Sequence, residues 1–146
     1  MIAKSVVRSA KEMRSLGAEL ARDLADERAT VRVIELIGDV GAGKTTLVQG
    51  LAAGLGVKAV VTSPTFTISK DYETAAGGRL VHYDFYRLET AGIMRDEVAE
   101  NVASEDAIVV VEWAETVKDV LPVERLVVRM KYLTDGTREV MMEEGE

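Results

Sequence analysis

A glycine-rich segment that links an apolar strand pattern to an apolar helix pattern constrains the fold of this chain most strongly. It reads GDVGAGKT and runs from Gly38 to Thr45. Glycine loses more backbone freedom on folding than any other residue, so ordering several glycines close together is costly. The segment therefore predicts a backbone that bends tightly and lies close to another group.

The residues on either side of this bend indicate a buried strand and a packed helix. The preceding segment VRVIELIG (31–38) is apolar at nearly every position, which is typical of a strand buried on both faces of a parallel sheet. After the bend, Leu47, Leu51 and Leu55 recur with helical spacing, and the glycines of GLG (54–56) end that helix. We therefore expect a strand, a tight loop and a helix in direct succession.

The bend itself matches the pattern G-x-x-x-x-G-K-[ST], whose backbone N–H groups surround phosphate oxygens. The positive end of the following helix points to the same place. Lys44 would supply a mobile charge for the β- and γ-phosphates, and Thr45 a hydroxyl for Mg²⁺. The alternative, a tight turn with an incidental lysine, is disfavoured because both flanking patterns also fit.

The rest of the chain alternates strand and helix patterns, which indicates an α/β fold. No internal repeat or linker is present, so we expect one three-layer P-loop domain over residues 1–146 with a mainly parallel sheet. A capping box at Ser9 and Glu12 predicts the start of the first helix, whose apolar face would carry Met13, Leu16, Leu20 and Leu24. The other predicted elements are a short strand at 57–61, an extended piece after Pro64, a strand at 79–88, a helix at 91–104, a central strand at 107–113, and a C-terminal hairpin around Asp135 and Gly136 that adds an antiparallel edge. The helix at 91–104 is weakly amphipathic, with Ile93, Val98 and Val102 expected to face inward.

Composition excludes several classes of site. The 146 residues include no cysteine and one histidine, so disulfides and thiolate or multi-histidine zinc sites are excluded. No apolar run approaches the roughly 18 residues of a membrane span, and no secretory signal is recognisable, so we expect a cytoplasmic protein that does not enter membranes. The net charge of −7 argues against direct binding of nucleic acid, because phosphate contacts need a basic surface.

Two acidic residues are candidates for binding Mg²⁺ and water. Glu112 follows AIVVV at the carboxyl end of a predicted parallel strand, the edge at which open α/β sheets bind their ligands. Asp84 lies on another predicted strand, with the same parity as Leu80 and His82. The alternative for each is a solvated acid at a strand end. Nucleotide cleavage requires carboxylates, which favours the functional interpretation.

A cluster of hydroxyl residues follows the helix. Thr62, Ser63, Thr65 and Thr67 surround Pro64 and could form a loop that senses the γ-phosphate, or only a hydroxyl-stabilised turn.

Other polar and aromatic residues give weaker signals. Trp113 directly follows Glu112 and is expected to pack, whereas His82 is expected to be a strand residue near the surface. Arg87 and Arg95 could clamp charge, although their spacing does not require it. No N-K-x-D segment supports guanine selectivity, so ATP is the expected nucleotide.

Four segments in this order and spacing closely resemble the TsaE family, the small ATPases of bacterial tRNA threonylcarbamoyladenosine synthesis. They are GDVGAGKTTLVQGLAAGLG (38–56), TSPTFTI (62–68), HYDFYRL (82–88) and VEWAE (111–115). The first is common to many ATPases, so the last three carry the specificity. The resemblance extends from about residue 9 to the terminal hairpin.

The resemblance implies slow Mg²⁺-dependent ATP hydrolysis that serves a TsaD–TsaB complex, in which the partners contact tRNA. It also implies roles for particular residues. The nucleotide would be bound by Val40, Gly41, Ala42, Gly43, Lys44, Thr45 and Thr46, and the metal would be held by Thr45 and Glu112. Catalysis would involve Lys44, Asp84 and Glu112. A switch-like loop would contain Ser63 and Thr65, Trp113 would lie beside the site, and adenine would lie near Ala10 and Gly136.

Two other functions share the phosphate loop. A small-molecule kinase would also need an arginine-bearing lid and an acceptor pocket, and no arginine-rich lid stands out in this short chain. A nucleotide-gated binding module would have negligible turnover, and the two candidate carboxylates favour hydrolysis over it.

Overall fold

A computed structural model describes residues 2–26, 28–39, 42–64, 68–86, 92 and 94–144. Within these ranges the chain forms a seven-stranded sheet with three helices. The strands are β1 (Ile2–Val7), β2 (Val33–Gly38), β3 (Ser69–Glu73), β4 (Arg79–Asp84), β5 (Ala107–Glu112), β6 (Leu126–Tyr132) and β7 (Arg138–Glu144). The helices are α1 (Ala10–Ala25), α2 (Lys44–Gly54) and α3 (Met94–Ala103), and two short 3₁₀ turns occupy Ala114–Thr116 and Lys118–Val120.

The sheet has the order β1-β7-β6-β2-β5-β4-β3. Its four central strands, β6, β2, β5 and β4, are parallel, and the outer pairings are antiparallel. Helices α1 and α2 pack on one face and α3 with the 3₁₀ turns on the other, which confirms the predicted three-layer α/β class. Within the described ranges, every helix falls short of the length and apolar character that a bilayer span requires.

Strand alternation distributes the core between the two faces. Ile34 and Val110 belong to the hydrophobic cluster under α1 and α2, whereas Val109 and Val111 belong to the cluster under α3. All six residues of β5 are buried, which confirms the prediction of a central strand there. This strand carries the chain from one end of the sheet to the other and ends at Glu112.

Helix α1 begins as predicted, with one change in its cap. The Ser9 hydroxyl accepts the Glu12 N–H at 3.1 Å, but the Glu12 carboxylate accepts from the Arg8 N–H at 2.5 Å rather than from Ser9. Each bond satisfies a backbone donor near the helix start that has no partner within the helix. Met13 and Leu20 on the predicted apolar face are buried, as expected.

Two strand predictions need correction. No strand forms at 57–61, where Val60 is 85% exposed and Val61 is the only buried member of this short run. The chain instead continues to β3, which pairs antiparallel with β4. The C-terminal hairpin is present, but it does not form the edge: β6 lies beside β2, and the unpredicted strand β1 covers β7.

The predicted helix at 91–104 is shorter in the structure, where α3 spans Met94–Ala103. Val98 is fully buried and Val102 partly so, as the pattern predicts. Ile93, the other predicted inward residue, lies outside the described ranges.

Helices α1 and α2 touch backbone to backbone through two glycines. A Cβ atom on Gly50 would lie 2.1 Å from the carbonyl oxygen of Arg14, and one on Gly17 would lie 2.3 Å from that of Leu47. No real Cβ contact is this short, so both positions require glycine. The contact holds α2, whose N-terminus faces the site described below, against α1.

We expect Gly50→Ala to lower the free energy of unfolding by about 2–3 kcal/mol, because the added methyl group overpacks a rigid contact. Chemical denaturation measures this. Ser15→Ala, on the exposed side of α1, is the control and should change stability by less than about 0.5 kcal/mol. Equal stability of Gly50→Ala and the wild-type protein would show that the helices are not in backbone contact.

Candidate functional site

The candidate site lies where three parallel strands end. In the sheet register, Glu112 of β5 lies beside Leu36 of β2 on one side and beside Asp84 of β4 on the other. The loop that follows β2 leads directly into α2. The two candidate carboxylates are 28 residues apart in sequence, but they are neighbours in the sheet. Both lie at the sheet edge where α2 begins.

The start of α2 is open to an anion. Gly43 precedes it with φ +99°, a left-handed conformation that favours glycine, and a Cβ there would lie 2.9 Å from the Met13 methyl group. Among the described residues, no side chain caps this terminus, and Leu47 is the first residue whose N–H bonds back to Gly43. The N–H groups of the first turn are thus available to phosphate oxygens.

Three buried polar or charged side chains, those of Lys44, Glu112 and His82, lie in contact beside this helix terminus. Lys44 Nζ is 3.3 Å from Glu112 Oε1, and His82 Nε2 is 2.5 Å from Glu112 Oε2. The lysine side chain is only 10% exposed. Burial alone would raise the pKa of Glu112, but the hydrogen bond and charge of His82 and the charge of Lys44 outweigh it, and the pKa is lowered.

His82 is not near the surface, contrary to the sequence-based prediction. Its side chain is fully buried, because β4 is an interior strand and His82 has the same parity as the core residue Leu80. The position still tolerates an imidazole because Glu112 accepts its hydrogen. These partners are 30 residues apart in sequence, so no local pattern reveals the pair.

Asp84 is 4% exposed and ends β4. Its Oδ1 accepts the Tyr86 N–H at 2.9 Å, and its own N–H donates to the Ile68 carbonyl at 2.8 Å. The bond from the Tyr86 N–H to the Asp84 carboxylate stabilises a sharp turn after the strand, as aspartate side chains often do. Asp84 is therefore fixed beside Glu112 rather than solvated on a loop.

An aromatic pair forms one wall of the site. The Trp113 and Tyr86 rings are 4.9 Å apart between centroids and tilted by 46°. Lys44 Nζ lies 5.3 Å from the Trp113 centroid, within the range of cation–π attraction. Trp113 adopts φ +56°, so the chain turns abruptly after Glu112. A cleft of about 310 Å³ opens here, lined by Leu36, Ile37, Gly38, Asp39, Lys44, Trp113, Ala114, Glu115 and Met130.

The structure thus brings Lys44, Asp84, Glu112 and Trp113 together. Ala42, Gly43, Thr45 and Thr46 flank or begin α2 at the same place, and Ser63 lies on the connection between α2 and β3. Val40, Gly41, Thr65, Thr67 and Arg87 lie outside the described ranges.

Three other predicted residues lie further out. Ala10 begins α1, and Gly136 lies in the β6–β7 turn. The pKa of the neighbouring Asp135 is lowered mainly by the Thr137 hydroxyl, with a smaller effect from the charge of Arg8, so this turn lies near the start of α1. Arg95 does not join the site, because it pairs with Asp119 on the α3 side.

The donor set fits Mg²⁺ only when a nucleotide contributes ligands. Among the described residues, no three acidic or histidine side chains form a cluster that could hold a metal alone. Mg²⁺ is usually held by one or two protein oxygens together with phosphates and water. The Thr45 hydroxyl at the start of α2 and the Glu112 carboxylate would be those protein ligands.

A helix that follows a strand at the carboxyl edge of four parallel strands, with helices on both faces of the sheet, defines a three-layer α/β protein. The family model described as Threonylcarbamoyl adenosine biosynthesis protein TsaE matches residues 7–140. The chain therefore belongs to the TsaE family, whose proteins take part in tRNA threonylcarbamoyladenosine biosynthesis.

Individual relatives agree with this membership. The Streptomyces coelicolor TsaE protein is 43% identical over 113 residues, which cover 77% of this chain and 76% of that protein. The Treponema pallidum TsaE protein is 37% identical over 139 residues, with 94% and 97% coverage. The crystal structure of Bacillus subtilis YdiB matches with a TM-score of 0.78 at 30% identity and covers 100% of this chain and 87% of the other.

The lowered pKa of Glu112 predicts a specific pH dependence of stability. The unfolded chain, in which this carboxyl has its ordinary pKa, binds the proton more readily than the folded chain. The stabilisation is therefore complete above about pH 5 and is lost as the pH falls through the folded pKa.

Chemical denaturation at several pH values measures this effect. The stability difference between the wild-type protein and Glu112→Gln should stay constant above about pH 5 and narrow as the pH falls below that value. Glu100→Gln, the same change at an exposed position, is the control. A difference that stays constant or widens in acid would contradict a lowered pKa.

Proposed function

We propose that this chain is the Mg²⁺-dependent, ATP-binding and slowly ATP-hydrolysing subunit of a tRNA threonylcarbamoyladenosine synthesis system, and that it acts on a TsaD–TsaB complex. The observation that carries the proposal is the uncapped start of α2 beside the buried Lys44–Glu112 pair, with Asp84 on the adjacent strand. Family membership supplies the biosynthetic context.

Nucleotide binding would rearrange the ion pair. The first-turn N–H groups of α2 receive phosphate oxygens, and Lys44 moves from the single charge of Glu112 to the larger charge of the triphosphate. Glu112 and the Thr45 hydroxyl are then free to hold Mg²⁺, which neutralises charge on the phosphates when bound. In the nucleotide-free chain, Lys44 and Glu112 thus bind each other instead of the phosphates and Mg²⁺.

Asp84 would serve hydrolysis rather than binding. It lies beside Glu112 in the register and is held there by the turn that includes Tyr86. A carboxylate at this point can orient water next to the phosphates. The Trp113 ring packs beside Lys44 and would report nucleotide binding, since it is the single tryptophan of the chain.

Reconstitution tests the proposed function. With purified TsaD, TsaB, tRNA and the threonylcarbamoyl donor, multiple rounds of tRNA modification should require both this chain and ATP. Lys44→Ala should lose nucleotide binding by calorimetry and fail to support modification. Lys58→Ala, which changes an exposed lysine four residues beyond the end of α2, should match the wild-type protein. Full modification without this chain would exclude the function.

Asp84→Asn and Glu112→Gln should lower ATP turnover by at least about tenfold more than they lower ATP affinity, because they remove groups that act on metal and water rather than on the bound phosphates. Steady-state kinetics and calorimetry separate the two effects. Asp106→Asn makes the same change at the opposite end of β5 and is the control. Unchanged turnover in both site variants would remove their assigned roles.

A further inference from the structure

His82 is a fully buried polar residue that packing alone does not explain. Its side chain has no exposed surface, and a strand position in this core would otherwise suit valine, isoleucine or leucine. Nε2 meets Glu112, whereas Nδ1 has no hydrogen-bond partner among the described residues. Leaving a buried nitrogen unsatisfied is costly, so the retained contact with Glu112 must compensate.

The direction of the hydrogen bond follows from its partner. The Glu112 carboxylate faces the Lys44 ammonium group and is ionised, so it can only accept. Nε2 therefore carries the hydrogen and donates it to Oε2 over 2.5 Å. Because His82 belongs to an interior strand, its imidazole does not move with groups at the surface of the site.

The two partners of Glu112 differ in what nucleotide binding would do to them. Oε1 faces Lys44, which lies on the phosphate-binding helix, and Oε2 faces His82, which lies on β4. A bound triphosphate competes for Lys44 but has no route to the buried imidazole. After binding, His82 is the contact that still restrains the carboxylate.

We propose that His82 is a positioning residue that holds Oε2 of Glu112 both before and after nucleotide binding, so that Oε1 alone is released toward the metal when Lys44 leaves. This inference rests on the proposed Mg²⁺-ATP function. It assigns His82 no contact with nucleotide or metal. A histidine needed only for folding would affect stability but not the Mg²⁺ dependence of turnover.

The first test uses the fact that the chain has a single histidine. In NMR spectra of ¹⁵N-labelled nucleotide-free protein, a slowly exchanging imidazole N–H signal should appear, and Glu112→Gln should move it upfield whereas Asp84→Asn should not. The signal should persist after addition of Mg²⁺ and a non-hydrolysable ATP analogue. Its absence from the free protein, or its loss on loading, would overturn the proposal.

The second test compares two amides at the same position. The His82→Gln amide nitrogen reaches about where Nε2 lies, whereas the His82→Asn amide corresponds to Nδ1 and falls short of Glu112. We expect the Mg²⁺ concentration for half-maximal turnover to rise at least about tenfold in His82→Asn, as outer-shell changes typically do, and to be largely restored in His82→Gln. ATP affinity without metal should change little in either.

Tyr83→Phe is the matched control. Tyr83 neighbours His82 on β4 but faces the other side of the sheet, where its hydroxyl accepts a hydrogen bond from Asn101 at 2.6 Å. Losing that bond should reduce stability without changing the Mg²⁺ dependence. Equal Mg²⁺ dependence in His82→Asn, His82→Gln and the wild-type protein would overturn the positioning role. If the wild-type protein itself needs no Mg²⁺, the proposed function fails, while the imidazole signal still tests the contact.

Discussion

The burial of one carboxylate, that of Glu112, ties the core of this protein to its site. An ionised group removed from water is strongly destabilising unless charge and hydrogen bonds compensate. Lys44 and His82 provide both, and they come from α2 and from the adjacent interior strand β4. The same interaction therefore joins α2 to the sheet and places an acid at the end of β5.

The centre of the fold could be predicted from the sequence because parallel strands are buried on both faces and read as continuous apolar runs. The segments that became β2 and β5 have this character, and the glycine bend between β2 and α2 leaves few backbone paths. The position of Glu112 at a strand end followed directly. The apolar face of α1, which includes Met13 and Leu20, could also be predicted from the sequence.

Other features depend on contacts between distant segments and could not be predicted locally. The run at 57–61 is apolar but has no strand to pair with, so it stays irregular. β1 forms because it pairs with the free edge of β7. The two strands lie far apart in the sequence, so no local pattern reveals the pairing. His82 is buried because β3 covers the outer side of β4, which made a predicted surface residue part of the interior.

The pairing of β1 with β7 also has a consequence for how the chain is made. Ile2 lies opposite Glu143, so the two partners stand at opposite ends of the described chain. A ribosome releases β1 long before it adds β7, and contacts of such large sequence separation are slow to form. β1 must therefore wait as an unpaired segment until β7, the strand with which it pairs, has been synthesised.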